Sequence, residues 1–219
     1  MFDGVDSPLT QSFGLGLFSK PSSGQLDELE RFFSERNAII THEVSLVADT
    51  DILPLLATRR YAATEWSTVL AQPIAAPPSI NSAISVRVIA PDEAEQWAAI
   101  SAAGWNQTPE LADFVRGLGQ VTARAAGTVS FLAEIDGSPV AAGGMHIHDG
   151  VALFAGASTL PSARNRGAQR ALLQSRLAFA HEQGCELAMM VAQPGSPSHR
   201  NAQRAGFTPV YGRIKFARP

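Results

Sequence analysis

The chain has 219 residues, of which 45% are hydrophobic and 17% charged, and its formal net charge is −3. That is the composition of an ordinary globular protein, with no overall basic field to invite nucleic acid. The one cysteine, Cys185, excludes an internal disulfide framework and a CxxC metal knuckle. No run approaches 18 apolar residues, so no membrane span is expected. The start, MFDGVDSPLT, lacks the basic and apolar regions of a signal peptide, and a cytoplasmic location is the expectation. Lys20 and Lys215 are the only lysines, a bias that points to a GC-rich bacterial genome.

In chain order, SFGLGLF (12–18) reads as a strand and QLDELERFFSERNA (25–38) as a helix. THEVSLVAD (41–49) follows as a strand, ILPLLATRR (52–60) as a helix and YAATEWSTVLAQP (61–73) as a strand. IAAPPSINS (74–82), with paired prolines and no period, is a linker. Beyond it, AISVRVIA reads as a strand, and APDEAEQWAAISAAGW as a helix entered through acidic residues. ELADFVRGL continues as a second helix. TVSFLAEIDGSPVAAGGMHIHDGVALFAGAST (128–159) has turn signals at Asp136-Gly137 and Asp149-Gly150, and so reads as three antiparallel strands. A helix from about Asn165 to Gln183 stops at Gly184, then CELAMMVAQ is a buried strand. PSHRNAQRA is a short helix and FTPVYGRIKFA a last strand. The second segment is therefore β-α-α-β-β-β-α-β-α-β.

The first segment looks like a worn copy of the later half of that order. Val47–Asp49 aligns with Val191–Gln193, and Arg59-Arg60-Tyr61 with Ala205-Gly206-Phe207. The shortfall between the copies lies mostly in one turn, where PSSGQLDEL stands in place of PSARNRGAQRALL. If the repeat is real, the first copy has lost an arginine-rich loop and a single cofactor site remains; the plain alternative is that any βαβαβ unit shows such likeness.

That loop, TLPSARNRGAQRALL (159–173), joins an apolar strand to a helix. A helix start presents N–H groups without intrahelical partners and a partial positive charge, so it binds anions without special side chains. Gly167 allows close backbone approach, and Arg164, Arg166 and Arg170 add charge that can bridge phosphate oxygens. Neither GxxxxGK[ST] nor GxGxxG is present.

Arg164-x-x-Gly167-x-Gln169 in this strand–turn–helix setting resembles the Gln/Arg-x-x-Gly-x-Gly/Ala signature of the Gcn5-related N-acetyltransferase (GNAT) family. The resemblance covers residues 84–219, with Gln169 departing from the usual small residue. It implies an α/β fold with a mixed sheet flanked by helices, preceded by a degenerate βαβαβ half-domain. The division is then 1–73 half-domain, 74–82 linker and 83–219 acyl-CoA-binding domain. It further implies acetyl-CoA as cofactor and a small-molecule amine as acceptor, with transfer by direct attack. Neither nucleic acid nor membrane enters as a partner, and a homodimer is an open alternative.

By the resemblance, the strand 151–159 splays from the next, and pantetheine lies along Ala157, Ser158 and Thr159. An amide near Ser158 polarises the thioester carbonyl. The N–H groups of Asn165, Arg166, Gly167, Ala168, Gln169 and Arg170 hold the pyrophosphate. Where the family commonly places a tyrosine as general acid, this chain has Ala202. Ser196, Ser198 and Asn201 then fall near the sulfur, with Tyr211 another candidate; Ser196 and Ser198 are equally helix-start caps. Glu134 is either a water-relay base or an ordinary strand glutamate. Trp105 and Asn106 fall where the family builds its acceptor pocket, although Trp105 also reads as a core plug. His146 and His148 share a strand face without a third ligand at metal spacing, so His146 is taken as acceptor-lining and no metal is expected. A non-catalytic acyl-CoA sensor and a dimeric scaffold are the rival readings.

Overall fold

The computed structural model describes residues 1–5, 7, 9–75, 83–104 and 109–218, and residues 109–114 through their backbone alone. Trp105, Asn106 and most of the 74–82 linker therefore lie outside the described residues. Two compact units are formed, the first from Met1–Leu70, Ala192–His199 and Pro209–Pro219, the second from Ala71–Val191 and Arg200–Thr208.

In the first unit, strand β1 (Ser12–Phe13) pairs in parallel with β2 (Ile40–Ser45). Helix α1 (Ser23–Ser34) and helix α2 (Ile52–Thr58) flank β2 in sequence, and β3 (Ala62–Pro73) follows α2. The last strand of the chain, β9 (Thr208–Arg218), lies between β2 and β3. It pairs antiparallel with β2, from Ile40↔Arg218 to Ser45↔Arg213. Division by chain order thus differs from division by compactness, because the last strand of the chain, β9, adds its hydrogen bonds to β2, near the chain's start. Leu26 and Phe33 on one face of α1 close over Ile40, Val44, Ile52, Leu56 and Tyr61 to form the core. Burial of such side chains stabilises by roughly 1.5–3 kcal/mol each.

A polar chain crosses this core. Tyr61 OH donates to Glu30 Oε1 (3.1 Å), so it accepts from His42 Nε2 (3.0 Å). His42 Nδ1 then accepts from Ser12 Oγ at 2.7 Å. His42 is wholly buried, and desolvation pulls its pKa down to about 4. The Glu30 carboxylate is anchored outward by Arg59 (3.1 Å) and Arg218 (3.0 Å).

In the second unit, strands β4 (Ser85–Val88), β5 (Thr128–Ile135), β6 (Ser138–His148), β7 (Val151–Thr159) and β8 (Leu187–Ala192) run in the order β8-β7-β6-β5-β4. Pairs β4–β5, β5–β6 and β6–β7 are antiparallel and β7–β8 is parallel, so the sheet is mixed. Both hairpin turns place an Asp and a Gly at positive φ: Asp136 +51° and Gly137 +74°, then Asp149 +46° and Gly150 +75°. This is the primed-turn geometry that matches strand twist.

Helix α5 (Ala168–Glu182) links β7 to β8, while α3 (Ala94–Gly104) and α4 (Pro109–Thr122) precede β5. Helix α6 (Pro197–Arg204) lies between β8 and β9 in sequence. Trp97 of α3 is 2% exposed, and its Nε1 donates to Phe131 O (3.1 Å) and Gly143 O (3.3 Å). It therefore locks α3 to the middle of the sheet, over Gly144 and Gly156. Among the described residues no helix is long and apolar enough to cross a membrane.

Candidate functional site

Strand β7 carries the first half of the site. Its parallel pairing with β8 runs from Val151↔Leu187 to Phe154↔Met190 and goes no further, although β7 stays paired with β6 as far as Thr159. Opposite β6 the register shifts between Ala142 and Gly144, so that Gly156 and Ala157 face Gly143 alone. Gly156 adopts φ +62°, as a bulge residue of this kind requires. β7 therefore leaves β8 at Phe154 and opens a fork. Leu160 N–H donates back to Val140 O (2.9 Å), and strand alternation then aims the N–H and C=O groups of Ala157 and Thr159 toward the open edge. Ser158 faces the other way: its Oγ donates to Ile100 O of α3 at 3.4 Å.

The turn after β7 carries the second half. Arg164 is extended (φ −63°, ψ 154°), while Asn165 (φ +61°) and Gly167 (φ +91°) lie in the left-handed region on either side of Arg166. Such alternation turns successive N–H groups toward one concavity, a nest for an anion. Gly167 is the N-cap of α5 and supplies no side-chain cap. The first bonded N–H of the helix is that of Ala171, to Gly167 O at 3.0 Å. Arg164 and Asn165 form a hydrogen-bonded turn that engages the Arg166 N–H, whereas the N–H groups of Ala168, Gln169 and Arg170 precede the first intrahelical bond. The guanidinium groups of Arg166 and Arg170 are exposed and, among the described residues, form no ion pair or hydrogen bond. A hollow with the open amides of a helix start, two exposed guanidinium groups and an unpaired strand edge leading to it fits a diphosphate-bearing cofactor with an extended arm.

Two side chains in this turn are already engaged. Arg164 Nη2 donates to Gly104 O at 2.9 Å and so ties the turn to the end of α3. Gln169 Nε2 donates to Thr159 Oγ1 at 2.7 Å, which leaves the backbone of Gln169, and not its side chain, for the hollow. At α1 a capping box engages two of the amides. Ser22 Oγ accepts from Gln25 N (3.3 Å), and Gln25 Oε1 accepts from Ser22 N (3.0 Å). That capping box has no counterpart at α5, where Gly167 supplies no side-chain cap.

The remaining candidates are placed as follows. Ser196 Oγ accepts from His199 N at 3.1 Å, a capping bond for α6, while Ser198 is exposed in the first turn of that helix. Both lie in the first unit, as does the half-buried Tyr211 of β9. Asn201, in the second unit, is exposed and its Oδ1 accepts from Arg204 Nη1 (2.9 Å). Ala202 is fully buried. Glu134 accepts from Arg87 Nε at 2.8 Å, and Arg87 in turn holds both oxygens of Glu93 at 2.6 Å. Arg87, and then the Ala90 N–H, pull the Glu93 carboxyl down to about 2. A carboxylate held like that of Glu134 carries half of a structural ion pair. His146 is exposed, with Nδ1 3.4 Å from Thr128 Oγ1. Among the described residues no three metal-ligating side chains come together.

Sequence reading did not single out Arg176 of α5, which is 2% exposed and has its guanidinium carbon 4.8 Å from the Phe154 ring centre. Its spacing was the available signal: an arginine on the apolar stripe of Leu172, Leu173, Leu177 and Ala180.

A mixed sheet with a forked parallel pair, followed by an uncapped helix start, defines a class of α/β fold with an anion-accepting turn at the fork. The model of the acetyltransferase (GNAT) family matches residues 92–207, more than half of the chain, and the chain belongs to that family. A GCN5-related N-acetyltransferase from Kribbella flavida is 24% identical, with a TM-score of 0.68 over 89% of this chain and 74% of its own. A GCN5-related N-acetyltransferase from Sphaerobacter thermophilus is 17% identical, with a TM-score of 0.69 over 90% and 67%. A tandem GNAT protein from the clavulanic acid biosynthesis pathway, solved without AcCoA, is 13% identical, with a TM-score of 0.62 over 89% and 68%. No curated protein matches the chain.

Proposed function

We propose that the protein is an N-acyltransferase that moves an acetyl group from acetyl-CoA to the amine of a small metabolite. The observation that carries this reading is the uncapped start of α5, where the amides of Ala168, Gln169 and Arg170 precede the first intrahelical bond. When bound, acetyl-CoA supplies an acyl group on an activated thioester. The amides of residues 168–170, with the side chains of Arg166 and Arg170, hold the pyrophosphate through charge-assisted bonds. The edge groups of Ala157 and Thr159 pair with the pantetheine arm as a further strand would. Bulge amides near Ser158 polarise the thioester carbonyl, an oxyanion-hole role.

Direct attack needs no nucleophilic side chain, only a neutral amine, an acceptor for its proton and a stable leaving thiolate. Ser198, Asn201 and Tyr211 remain the candidates for a hydrogen bond to sulfur. Glu134 is the weaker choice of base because Arg87 occupies it. Trp105, Asn106 and His146 are assigned to the acceptor side, and Ser196, as a cap, positions α6. The N-terminal segment is assigned as a half-domain of the same family. Tyr61 and Phe207, both buried, each precede a strand and follow a left-handed residue (Arg60 φ +62°, Gly206 φ +98°). The capping box at α1 supports a single cofactor site.

The buried Ala202 favours one rival, a sensor that binds acyl-CoA without turnover. Thiol release from acetyl-CoA across a panel of amines, run beside a thermal shift, separates the two. The transferase gives stabilisation and release with at least one amine. Stabilisation without release on every amine supports the sensor, and absence of any shift removes both.

A further inference from the structure

We propose that Arg176, buried beneath the point where β7 and β8 part, stabilises the thiolate of coenzyme A and so takes the part of the acid that position 202 lacks. The inference rests on the acyl-CoA reading above. Three observations locate the charge. The guanidinium packs on Phe154, the last β7 residue paired with β8 (Phe154↔Met190). Its Nη1 donates to Gly144 O at 3.1 Å, and Gly144 pairs with Ala155, the first residue of the fork. A Cβ on Gly143 would come 3.4 Å from the guanidinium carbon, so that glycine makes the space the group fills.

Among the described residues nothing neutralises the charge. Nε donates to Leu172 O (3.2 Å) and Nη1 to Gly144 O, and both acceptors are carbonyls. Among the described residues no carboxylate forms an ion pair with Arg176. The strands packed against α5 are β4, β5, β6 and β7. Their charged groups are spent elsewhere: Arg87 and Glu134 pair with each other, His146 is exposed, and exposed His148 faces Asp149. Arg170, His181 and Glu182 lie toward the ends of α5 itself, and Arg204 of α6 bonds Asn201. Desolvation lowers the Arg176 pKa to about 10, which leaves it cationic at neutral pH.

A lone buried cation in a low-dielectric interior is felt over several ångströms, and positive neighbours lower a thiol's pKa. In the transfer, the C–N bond forms as the C–S bond breaks. The electron pair departs on sulfur, and the amine's surplus proton passes to water. Arg176 makes the unprotonated sulfur a stable leaving group, so no side chain need deliver a proton to it.

The test is a spectrophotometric titration of the thiolate of coenzyme A bound to the full-length protein, with desulfo-coenzyme A as blank. The bound thiol should ionise about one pH unit below the free thiol. Arg176→Met should return it to the free value, while Arg176→Lys, which restores a charge, should keep part of the shift. Arg176→Gln replaces the Met variant if that does not fold. A wild-type thiol that titrates like free coenzyme A, or an equal shift in the uncharged variant, overturns the inference and leaves the transferase reading intact. Failure of coenzyme A to bind at all removes both.

Discussion

Gly167 carries the anion nest, and its replacement by alanine separates backbone conformation from space. At φ +91° a Cβ would meet nothing closer than Ile84 Cδ1 at 3.7 Å, so no clash opposes the side chain. What opposes it is the left-handed conformation, which costs an L-residue about 1–2 kcal/mol. If the turn keeps its shape, Gly167→Ala loses that amount of stability and binds coenzyme A as before. If the backbone rotates to relieve the strain, the amides of Ala168 and Gln169 diverge instead. Each charge-assisted contact then lost costs roughly 1.5–3 kcal/mol of binding. Gly167→Asn, which tolerates the left-handed region, should lose less on both counts. Urea unfolding gives the stability and calorimetric titration with coenzyme A the affinity. An alanine variant equal to wild type in both measurements would refute the argument.

Other expectations follow from neighbouring contacts. Arg166→Ala should weaken coenzyme A binding about tenfold or more, reduce its salt dependence and leave unfolding unchanged, because the Arg166 guanidinium has no partner among the described residues. Arg164→Ala should lower stability by about 1 kcal/mol through loss of its bond to Gly104 O, read by the same unfolding assay. Gly104→Ala would set a Cβ 2.5 Å from Ser158 Cβ and 2.9 Å from Thr159 N, forcing α3 off β7 at a cost of about 1–3 kcal/mol; an unchanged melting temperature would contradict this packing. His42 titrates near 4 when folded and near 6.5 when unfolded, so the unfolded chain binds the extra proton first. Its contribution is complete above about pH 6.5 and falls by about 3 kcal/mol as pH drops through about 4. Unfolding free energies against pH should show this slope in wild type and lose it in His42→Gln.

The element order was legible because local chemistry dictates it. Asp136-Gly137 and Asp149-Gly150 announce hairpins since both positions need positive φ, and the apolar runs between them are strand-length. Boundaries suffered where glycine and asparagine take over. Helix α5 begins at Ala168 and not near Asn165, because Asn165 and Gly167 are left-handed and the turn tightens into a nest. SFGLGLF keeps only two strand residues, since Gly14 (φ +77°) and Gly16 (φ +76°) turn the chain away. β2 ends at Ser45, and Val47–Asp49 lie beyond it outside any strand, whereas Val191 and Ala192, aligned with Val47 and Ala48, are in β8.

Of the candidate site, the helix start could be read from the strand–turn–helix motif, whereas the fork entered only as what the resemblance to the family implies. The engagement of Arg164 with α3 and of Gln169 with Thr159 was not readable, because each is a contact made by tertiary packing. The pairing of β9 with β2 and the Ser12–His42–Tyr61–Glu30 chain were equally silent, being long-range contacts without a local period.

Calorimetric titration of the protein with coenzyme A and, in parallel, with pantetheine bears most directly on the central claim, since the two ligands share the arm and differ in the diphosphate-bearing nucleotide. Two or more charge-assisted contacts at the nest imply at least about a hundredfold tighter binding of coenzyme A, with the advantage shrinking as salt rises. Equal affinities at every salt concentration would contradict it.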